Sequence, residues 1–202
     1  MTARDLLYIL FGYLSGSVLY ALIFSSLLQR KDIISQSRDQ NPGTANAFIY
    51  GGFWCGFLTL SGDVLKGFLP VYLFVQGMPL PTISKASAFV LAAPVIGHIF
   101  PIFHGFHGGK GIATSFGCLL GLLPMCHPVA ILAFWFIFFS VIVHINPHYH
   151  RTILTYLSSM GMMAACIQNT NVLIGFGLIT LTIVVRMLLS TEEKGKMKVT
   201  LL

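Results

Sequence analysis

The chain has 202 residues, of which 55% are hydrophobic and only 9% are charged, and its formal net charge is +6. A soluble globular domain carries roughly 25% charged residues, so this composition excludes one and indicates an integral membrane protein. The basic residues do not form a stripe on a soluble face, which argues against nucleic-acid binding.

Apolar segments recur along the chain, and a transmembrane helix needs roughly 20 mainly apolar residues. In chain order, we predict seven spans at about 5–28, 50–76, 84–103, 109–123, 127–146, 152–168 and 171–190. The first segment is too long for the apolar part of a signal peptide and lacks the usual cleavage site, so it is interpreted as a span. The connections leave no room for a soluble domain, and residues 1–202 are predicted to form a single all-α membrane domain.

Lys and Arg are distributed asymmetrically over the predicted loops. With the loop 29–49 placed inside, the inner side collects Arg30, Lys31, Arg38, Lys110, Arg151, Lys194, Lys196 and Lys198, whereas the outer side has Arg4 and Lys85. Cytoplasmic loops of membrane proteins are enriched in Lys and Arg. We therefore predict a plasma-membrane protein with an outside N-terminus and a cytoplasmic C-terminus, whose polar segments 29–49 and 104–112 share the cytoplasmic face.

The segment Gly97–Thr114 contains the clearest chemical pattern, the loop Gly108-Gly109-Lys110-Gly111. Glycines let the backbone approach a ligand closely. The apolar helix predicted after this loop would direct free N–H groups and the positive end of its dipole at an anion. With Lys110 the loop is typical of a phosphate cradle, although the GxxxxGK spacing of a P-loop is absent. A glycine hinge, with Lys110 extending to the lipid headgroups, explains the loop alone equally well.

Further motifs extend the pattern. Gly97–Thr114 matches GHxFPxFxxFxGGKGxAT, Gly62–Pro70 matches DxxKGxxP, and the region from Leu14 to Asn46 is similar to GS…D…SGNxGATN. In these motifs the chain resembles the acyl-phosphate:glycerol-3-phosphate acyltransferases of the PlsY type. The resemblance implies a seven-span enzyme with a cytoplasmic site. It would transfer a fatty acyl group from acyl phosphate to glycerol 3-phosphate, giving lysophosphatidate for phospholipid synthesis, and it would use no cofactor.

The resemblance and the side-chain chemistry together give a set of candidate site residues. The candidate catalytic residues are Lys110, Asn41 and Asp39. The candidate substrate- and phosphate-binding residues are Gly108, Gly109, Gly111, Thr44, Asn46, Lys66, His98 and Arg38. Because acyl phosphate is an activated mixed anhydride, positioning and charge stabilisation are expected to meet most of the catalytic demand. Lys110 would neutralise the leaving phosphate, while Asn41 and Asn46 would orient polar substrate atoms.

Several of these side chains have more than one interpretation. Asp39 would be either a general base or a turn residue or helix cap. Asp63 and Lys66, which are three residues apart within a predicted span, would compensate each other's charge, serve the site, or both. His98 is expected to fix the Lys110 loop. The remaining histidines include His104, His107, His144, His148 and His150. Since no HExxH pattern is present, no metal site is predicted. No obligate protein partner is evident.

The chain departs from the family pattern at positions that carry polar groups in the family. The family's arginine after its second asparagine falls on Ile49. When the C-terminal HRxNIxRLL motif is anchored on Arg186, its histidine, first arginine and asparagine fall on Thr180, Leu181 and Ile183. An aliphatic side chain cannot replace the bidentate anion clamp that arginine provides.

These departures leave the replacement of the missing arginine and the reaction itself open. Arg38 and Arg151 are candidates to supply the lost positive charge. Two alternatives to glycerol-3-phosphate acylation also stay open. One is an acyl-phosphate-dependent enzyme with a different acceptor, and the other is a non-catalytic anion-binding or transport protein.

Overall fold

The computed structural model describes residues 1–28, 33–37, 39–76, 85–190 and 194–201, with the side chain of Ile34 excepted. The described part is mostly helical. Its helices are α1 (Ala3–Gly16), α2 (Tyr20–Leu27), α3 (Ile33–Gln36), α4 (Thr44–Gly51), α5 (Phe53–Gln76), α6 (Lys85–Ile99), α7 (Ile112–Leu120), α8 (His127–Ile137), α9 (His148–Cys166) and α10 (Thr170–Leu189). Of the basic residues used above for orientation, Arg30, Lys31 and Arg38 lie outside the described residues.

The number of spans remains a prediction. Among the described residues, the segments Phe53–Gln76, Lys85–His104 and Thr170–Leu189 are each long and apolar enough to cross a membrane. The pair α1 and α2, bent by 41°, would make a fourth span if it is counted as one. The other predicted spans correspond to shorter or less apolar helices; α7, for example, has only nine residues.

The prediction of an all-α chain, with a helix extending to residue 146, was wrong in one segment. Helix α8 continues as a π-helical turn at Phe138–Ile142 and then gives way to strand β1 (Val143–Asn146). Strand β1 pairs antiparallel with β2 (Lys198–Leu201), and Asn146 lies opposite Lys198. In β1 the residues with β-branched side chains alternate with polar ones, as expected for a strand. Asn146 also precedes a proline, which disfavours helical backbone.

Close contact between α5 and α7 places the start of α7 beside the charged residues of α5. A β-carbon at Gly67 of α5 would collide with the carbonyl oxygen of Thr114. In the same way, a β-carbon at Gly117 of α7 would collide with the carbonyl oxygen of Val64. Small residues at a helix interface let two backbones approach closely, as is common in membrane proteins. The glycines thereby hold Lys110, just before α7, near Asp63.

The main apolar core lies among α5, α6, α7, α9 and α10. Its fully buried side chains include Phe74, Leu91, Leu119, Met163, Phe176 and Ile179. Many large apolar side chains are exposed instead, among them Trp54, Leu65, Leu69, Leu73, Leu181 and Leu188. An exposed apolar surface of this kind is expected for a helical protein that contacts lipid.

Candidate active site

The loop that carries Lys110 is held in place by hydrogen bonds that two other helices make to its backbone. The Gly109 N–H donates to the carbonyl oxygen of His98 over 3.1 Å. From α10, Arg186 donates through Nη2 to the Gly108 carbonyl at 3.0 Å and through Nε to the Gly109 carbonyl at 3.2 Å. A single guanidinium therefore clamps two consecutive carbonyls of the glycine loop. In the sequence, Arg186 marks only the end of the C-terminal motif, and this contact with the loop was not predicted from it.

The glycines of this loop are required by the packing around His98. A β-carbon at Gly108 would collide with the His98 carbonyl oxygen, and one at Gly109 would collide with Nε2 of its imidazole. Gly111, the residue before α7, has a φ of 80°, in the left-handed region that suits glycine. The sequence Gly-Gly-Lys-Gly thus lets the chain pass against His98 and turn directly into α7.

Lys110 forms an ion pair with Asp39. The Lys110 Nζ lies 2.9 Å from Asp39 Oδ2, and the two side chains are only 12% and 17% exposed, respectively. Asn46 Nδ2 donates to Asp39 Oδ1 and to the Asn41 carbonyl oxygen, both at 2.8 Å. The Asn41 N–H also donates to Asp39 Oδ1, at 3.4 Å. The structure therefore brings the three candidate catalytic residues together.

The environment of Asp39 makes it a weak base. Burial alone raises the pKa of this carboxyl, but the hydrogen bond and positive charge of Lys110, with the hydrogen bonds from Asn46 and Asn41, lower it below its ordinary value. A general base works best when its pKa lies near the operating pH. Asp39 is therefore better suited to hold Lys110 and the 39–46 loop than to accept a proton.

A second group of charges is buried between α5 and α6. Lys66 Nζ lies 2.7 Å from Asp63 Oδ1 and 2.6 Å from His98 Nδ1, and it donates to the Val18 carbonyl oxygen at 2.6 Å. These three partners match the three protons of the ammonium group. Thr44 Oγ1 donates to the other carboxylate oxygen of Asp63 at 3.2 Å. Lys66 is thus placed to fix Asp63 and His98 rather than to contact a phosphate directly.

These groups meet at a cavity of about 480 Å³. Its polar lining consists of Asp39, Asn41, Thr44, Asn46, Asp63, His98, Lys110 and His148, and its apolar lining includes Leu60, Ile112, Ala113, Phe116 and Phe136. Gly43, Ala45 and Gly111 complete the wall. Lys66, Gly108 and Gly109 are not among its lining residues, and Arg38 is outside the described residues. The cavity therefore offers both charged groups for a phosphate and apolar surface for an acyl chain.

His148, at the start of α9, is a cavity residue that the sequence analysis did not select. Its Nδ1 accepts a hydrogen bond from Arg151 Nη2 at 2.9 Å. Burial, reinforced by the nearby charges of Lys110 and Arg151, lowers the pKa of His148 to about 3. The imidazole is therefore neutral at physiological pH. In the sequence, the only signal was its position beside a predicted cytoplasmic turn.

The positions at which the chain departs from the family pattern lie away from this cavity. Ile49 on α4 is 69% exposed and Leu181 on α10 is 61% exposed, whereas Thr180 and Ile183 are buried in α10. No arginine is among the described residues that line the cavity. Arg151 reaches its edge only through His148. Among the described lining residues, Lys110 thus supplies the positive charge of this wall, with Asp39 as its counter-ion.

Comparisons with known proteins show the family to which this chain belongs. Residues 6–194 match the family model described as glycerol-3-phosphate acyltransferase. Glycerol-3-phosphate acyltransferases from Cupriavidus taiwanensis and Glaesserella parasuis are each 40% identical over 134 residues, or 66% of this chain. The matched stretch spans 65% and 62% of those relatives' lengths, respectively.

Solved structures give a similar result over most of the chain. The crystal structure of PlsY (YgiH), an integral membrane glycerol 3-phosphate acyltransferase, in its glycerol 3-phosphate form has a TM-score of 0.78 and 26% identity. This match covers 91% of the present chain and 88% of that one. The lysophosphatidic acid form has a TM-score of 0.74. This integral membrane chain belongs to the glycerol-3-phosphate acyltransferase family.

Proposed function

We propose that this protein transfers a fatty acyl group from acyl phosphate to glycerol 3-phosphate, giving lysophosphatidate and inorganic phosphate for phospholipid synthesis. The observation that carries the proposal is the Lys110–Asp39 pair in a cavity with both polar and apolar walls. A phosphate that replaces Asp39 as the partner of Lys110 would place the attached acyl chain beside Phe116 and Phe136. The names of the family and of its relatives agree with this acceptor.

The reaction needs positioning more than proton abstraction. The acceptor hydroxyl attacks the carbonyl carbon, the new C–O ester bond forms, and the bond from the carbonyl carbon to the phosphate oxygen breaks. The departing phosphate must gain a proton to become hydrogen phosphate, so the hydroxyl proton has its acceptor within the substrates. Lys110 stabilises the charge that develops on the departing phosphate. Asp39, with its lowered pKa, is not needed as a base.

The buried charge cluster supports this geometry from behind the cavity. Lys66 fixes the Asp63 carboxylate, and Asp63 in turn accepts a hydrogen bond from Thr44 at the start of α4. Lys66 also donates a hydrogen bond to His98 Nδ1, and the His98 carbonyl oxygen accepts a hydrogen bond from the Gly109 N–H of the Lys110 loop. Removing one partner of a buried ion pair leaves a costly uncompensated charge. These residues are proposed to position the 39–46 and 108–111 loops relative to each other.

The test of the proposed function is a direct assay. Purified protein in nanodiscs is supplied with acyl phosphate and labelled glycerol 3-phosphate, and lysophosphatidate is measured. We expect saturable turnover that Lys110→Ala abolishes and that Lys85→Ala, which removes the same charge at the start of α6, leaves intact. Hydrolysis of acyl phosphate without ester formation would point to a different acceptor. Absence of any reaction with either substrate would favour a non-catalytic anion-binding or transport protein.

The same proposal includes the finer topology. Residues 1–202 would form one membrane domain with seven spans, an outside N-terminus and a site on the cytoplasmic face of the plasma membrane, as the distribution of Lys and Arg favours. A fluorescent protein fused after residue 202 is then expected to fluoresce in cells, and alkaline phosphatase fused there is expected to be inactive. The reverse pattern would refute this orientation.

A further inference from the structure

A second cavity, of about 570 Å³, lies beside the start of α9. It is lined by Asn146, Pro147, His148, Gly195, Lys196 and Lys198. Its volume falls within the range of about 300–1,000 Å³ that is typical of small-molecule sites. The lining contains two lysines and a histidine and has none of the phenylalanines that line the first cavity. It is therefore suited to a small hydrophilic molecule rather than to an acyl chain.

The segment 194–201 is anchored so that two lysines face this cavity. Strand β2 pairs with β1, which places Lys198 opposite Asn146. His150 Nε2 donates to the Gly195 carbonyl oxygen at 2.9 Å. Lys196 lies between these two anchors, and Lys196 and Lys198 both line the cavity.

Lys194, the neighbouring lysine, contacts other groups and does not line the cavity, unlike Lys196 and Lys198. Lys194 Nζ donates to the Leu188 carbonyl oxygen at 2.7 Å and lies 5.7 Å from the centre of the Tyr149 ring. No carboxylate is among the described residues that line the cavity. The positive end of the α9 dipole adds to the charge of the two ammonium groups. An anion bound here would therefore be attracted by the two lysines and would meet no carboxylate among the described lining residues.

His148 connects the second cavity to the first, because it lines both. Its ring is held by Arg151 Nη2 at 2.9 Å, and its Nε2 lies 3.4 Å from Thr152 Oγ1. If the phosphate of a small phosphate ester binds in the second cavity, the other end of the ester would lie next to His148. His148 also lines the first cavity, where Lys110 lies. This is the arrangement that an acceptor with a phosphate at one end and a hydroxyl at the other requires.

We infer that Lys196 and Lys198 bind the phosphate of glycerol 3-phosphate in the second cavity, with the acceptor hydroxyl directed past His148 toward the first cavity. The inference rests on the proposed function, since it assigns the acceptor of that reaction to a site. It also gives this chain cations for a phosphate although the family's arginine falls on Ile49. Lys110 then binds the phosphate of acyl phosphate and not that of the acceptor.

The test separates acceptor binding from chemistry by steady-state kinetics in nanodiscs of neutral lipid. The double variant Lys196→Ala/Lys198→Ala is expected to raise the KM for glycerol 3-phosphate about tenfold. The kcat and the KM for acyl phosphate should stay within about twofold of wild type, a change of less than 0.5 kcal/mol. Lys196→Arg/Lys198→Arg should restore most of the acceptor affinity. Lys85→Ala, which removes one positive charge away from this cavity, is the control. A thermal unfolding curve for each variant checks that it is folded.

Other outcomes would refute the inference without ambiguity. An unchanged KM for glycerol 3-phosphate in the double variant would exclude an acceptor site here, while wild-type activity would leave the proposed function standing. A lipid headgroup carries the same phosphate chemistry, so the assay is repeated with phosphatidic acid in the nanodiscs. If the variants change only the response to this lipid, the cavity binds a headgroup and the inference fails. If wild type itself makes no lysophosphatidate, the proposed function fails instead.

Discussion

Asp39→Asn distinguishes a counter-ion from a general base at the proposed catalytic centre. In the structure, Asp39 accepts hydrogen bonds from Asn46 and Asn41 and pairs with Lys110. The asparagine keeps an oxygen that can accept from Asn46 but removes the negative charge. Because that charge competes with the substrate phosphate for Lys110 and repels it, we expect acyl phosphate to bind more tightly to the variant.

The size of the effect follows from the burial of the pair. An exposed ion pair contributes about 0.2–1 kcal/mol, and removing one partner of a buried pair costs about 3–5 kcal/mol. Lys110 and Asp39 keep 12% and 17% of their side-chain surface exposed, so their pair lies between these limits. We take the competition of Asp39 with the substrate phosphate for Lys110 to cost about 1.5 kcal/mol of binding free energy. Removing it therefore corresponds to a roughly tenfold decrease in the KM for acyl phosphate. The kcat should change only a few-fold.

The assay measures initial rates of lysophosphatidate formation over a range of acyl phosphate concentrations, for wild type, Asp39→Asn and Asp39→Glu. Loss of a general base lowers kcat by about 10²- to 10⁴-fold. A decrease of that size in Asp39→Asn, with the KM for acyl phosphate unchanged, would refute the counter-ion assignment. Asp39→Glu retains the charge and should therefore keep a KM close to that of wild type if its longer side chain still reaches Lys110.

Further predictions concern the glycine loop and the edge of the cavity. Arg186→Gln removes the hydrogen bonds to the Gly108 and Gly109 carbonyls and is expected to lower kcat/KM about 10- to 100-fold. A misplacement of the catalytic group by about 1 Å can cause a loss of this size. Activity equal to wild type would contradict the assigned role of Arg186. Gly109→Ala is expected to reduce both activity and thermal stability, because its β-carbon would collide with His98; Gly177→Ala, on α10, where a β-carbon has only an ordinary contact, is the control. The folded-state pKa of His148 is about 3, below the ordinary value near 6.5, so the stability it contributes is present above pH 6.5 and lost as pH falls toward 3. The loss of thermal stability over that window should be smaller in His148→Gln, and an identical acid sensitivity would contradict this origin.

The Lys110 loop could be found from the sequence because its pattern is local. Gly-Gly-Lys-Gly before an apolar helix specifies a glycine loop and a helix start within a few residues, and the structure has both. The grouping of Asp39 with Asn41 and Asn46 is also local, since these residues lie in one loop and the start of α4. That Asp39 meets Lys110 could not be derived by that means, because the contact depends on how α4, α5 and α7 pack.

The residues that the sequence analysis missed are long-range contacts without a local signature. Arg186 lies more than 70 positions from the carbonyls that it binds, and His148 reaches the cavity only through the position of α9. The strand β1 was missed because its apolar residues continue the run of α8, and its partner β2 lies at the other end of the sequence. For Lys66, the three-residue spacing correctly indicated charge compensation by Asp63. Only the structure shows that the ammonium group also hydrogen-bonds the Val18 carbonyl oxygen and His98 Nδ1.

The charges of the two cavities explain how one chain could hold two phosphate groups with few cations. In the first cavity, Lys110 is balanced by Asp39, so an incoming acyl phosphate must displace a carboxylate that the protein holds in place. A second phosphate at the same wall would face that carboxylate and the first phosphate, with no further lysine or arginine among the described lining residues. Lys196 and Lys198 in the second cavity are not balanced by any described lining residue. Separate placement of the two phosphates, with His148 between them, therefore avoids repulsion that Lys110 alone cannot offset.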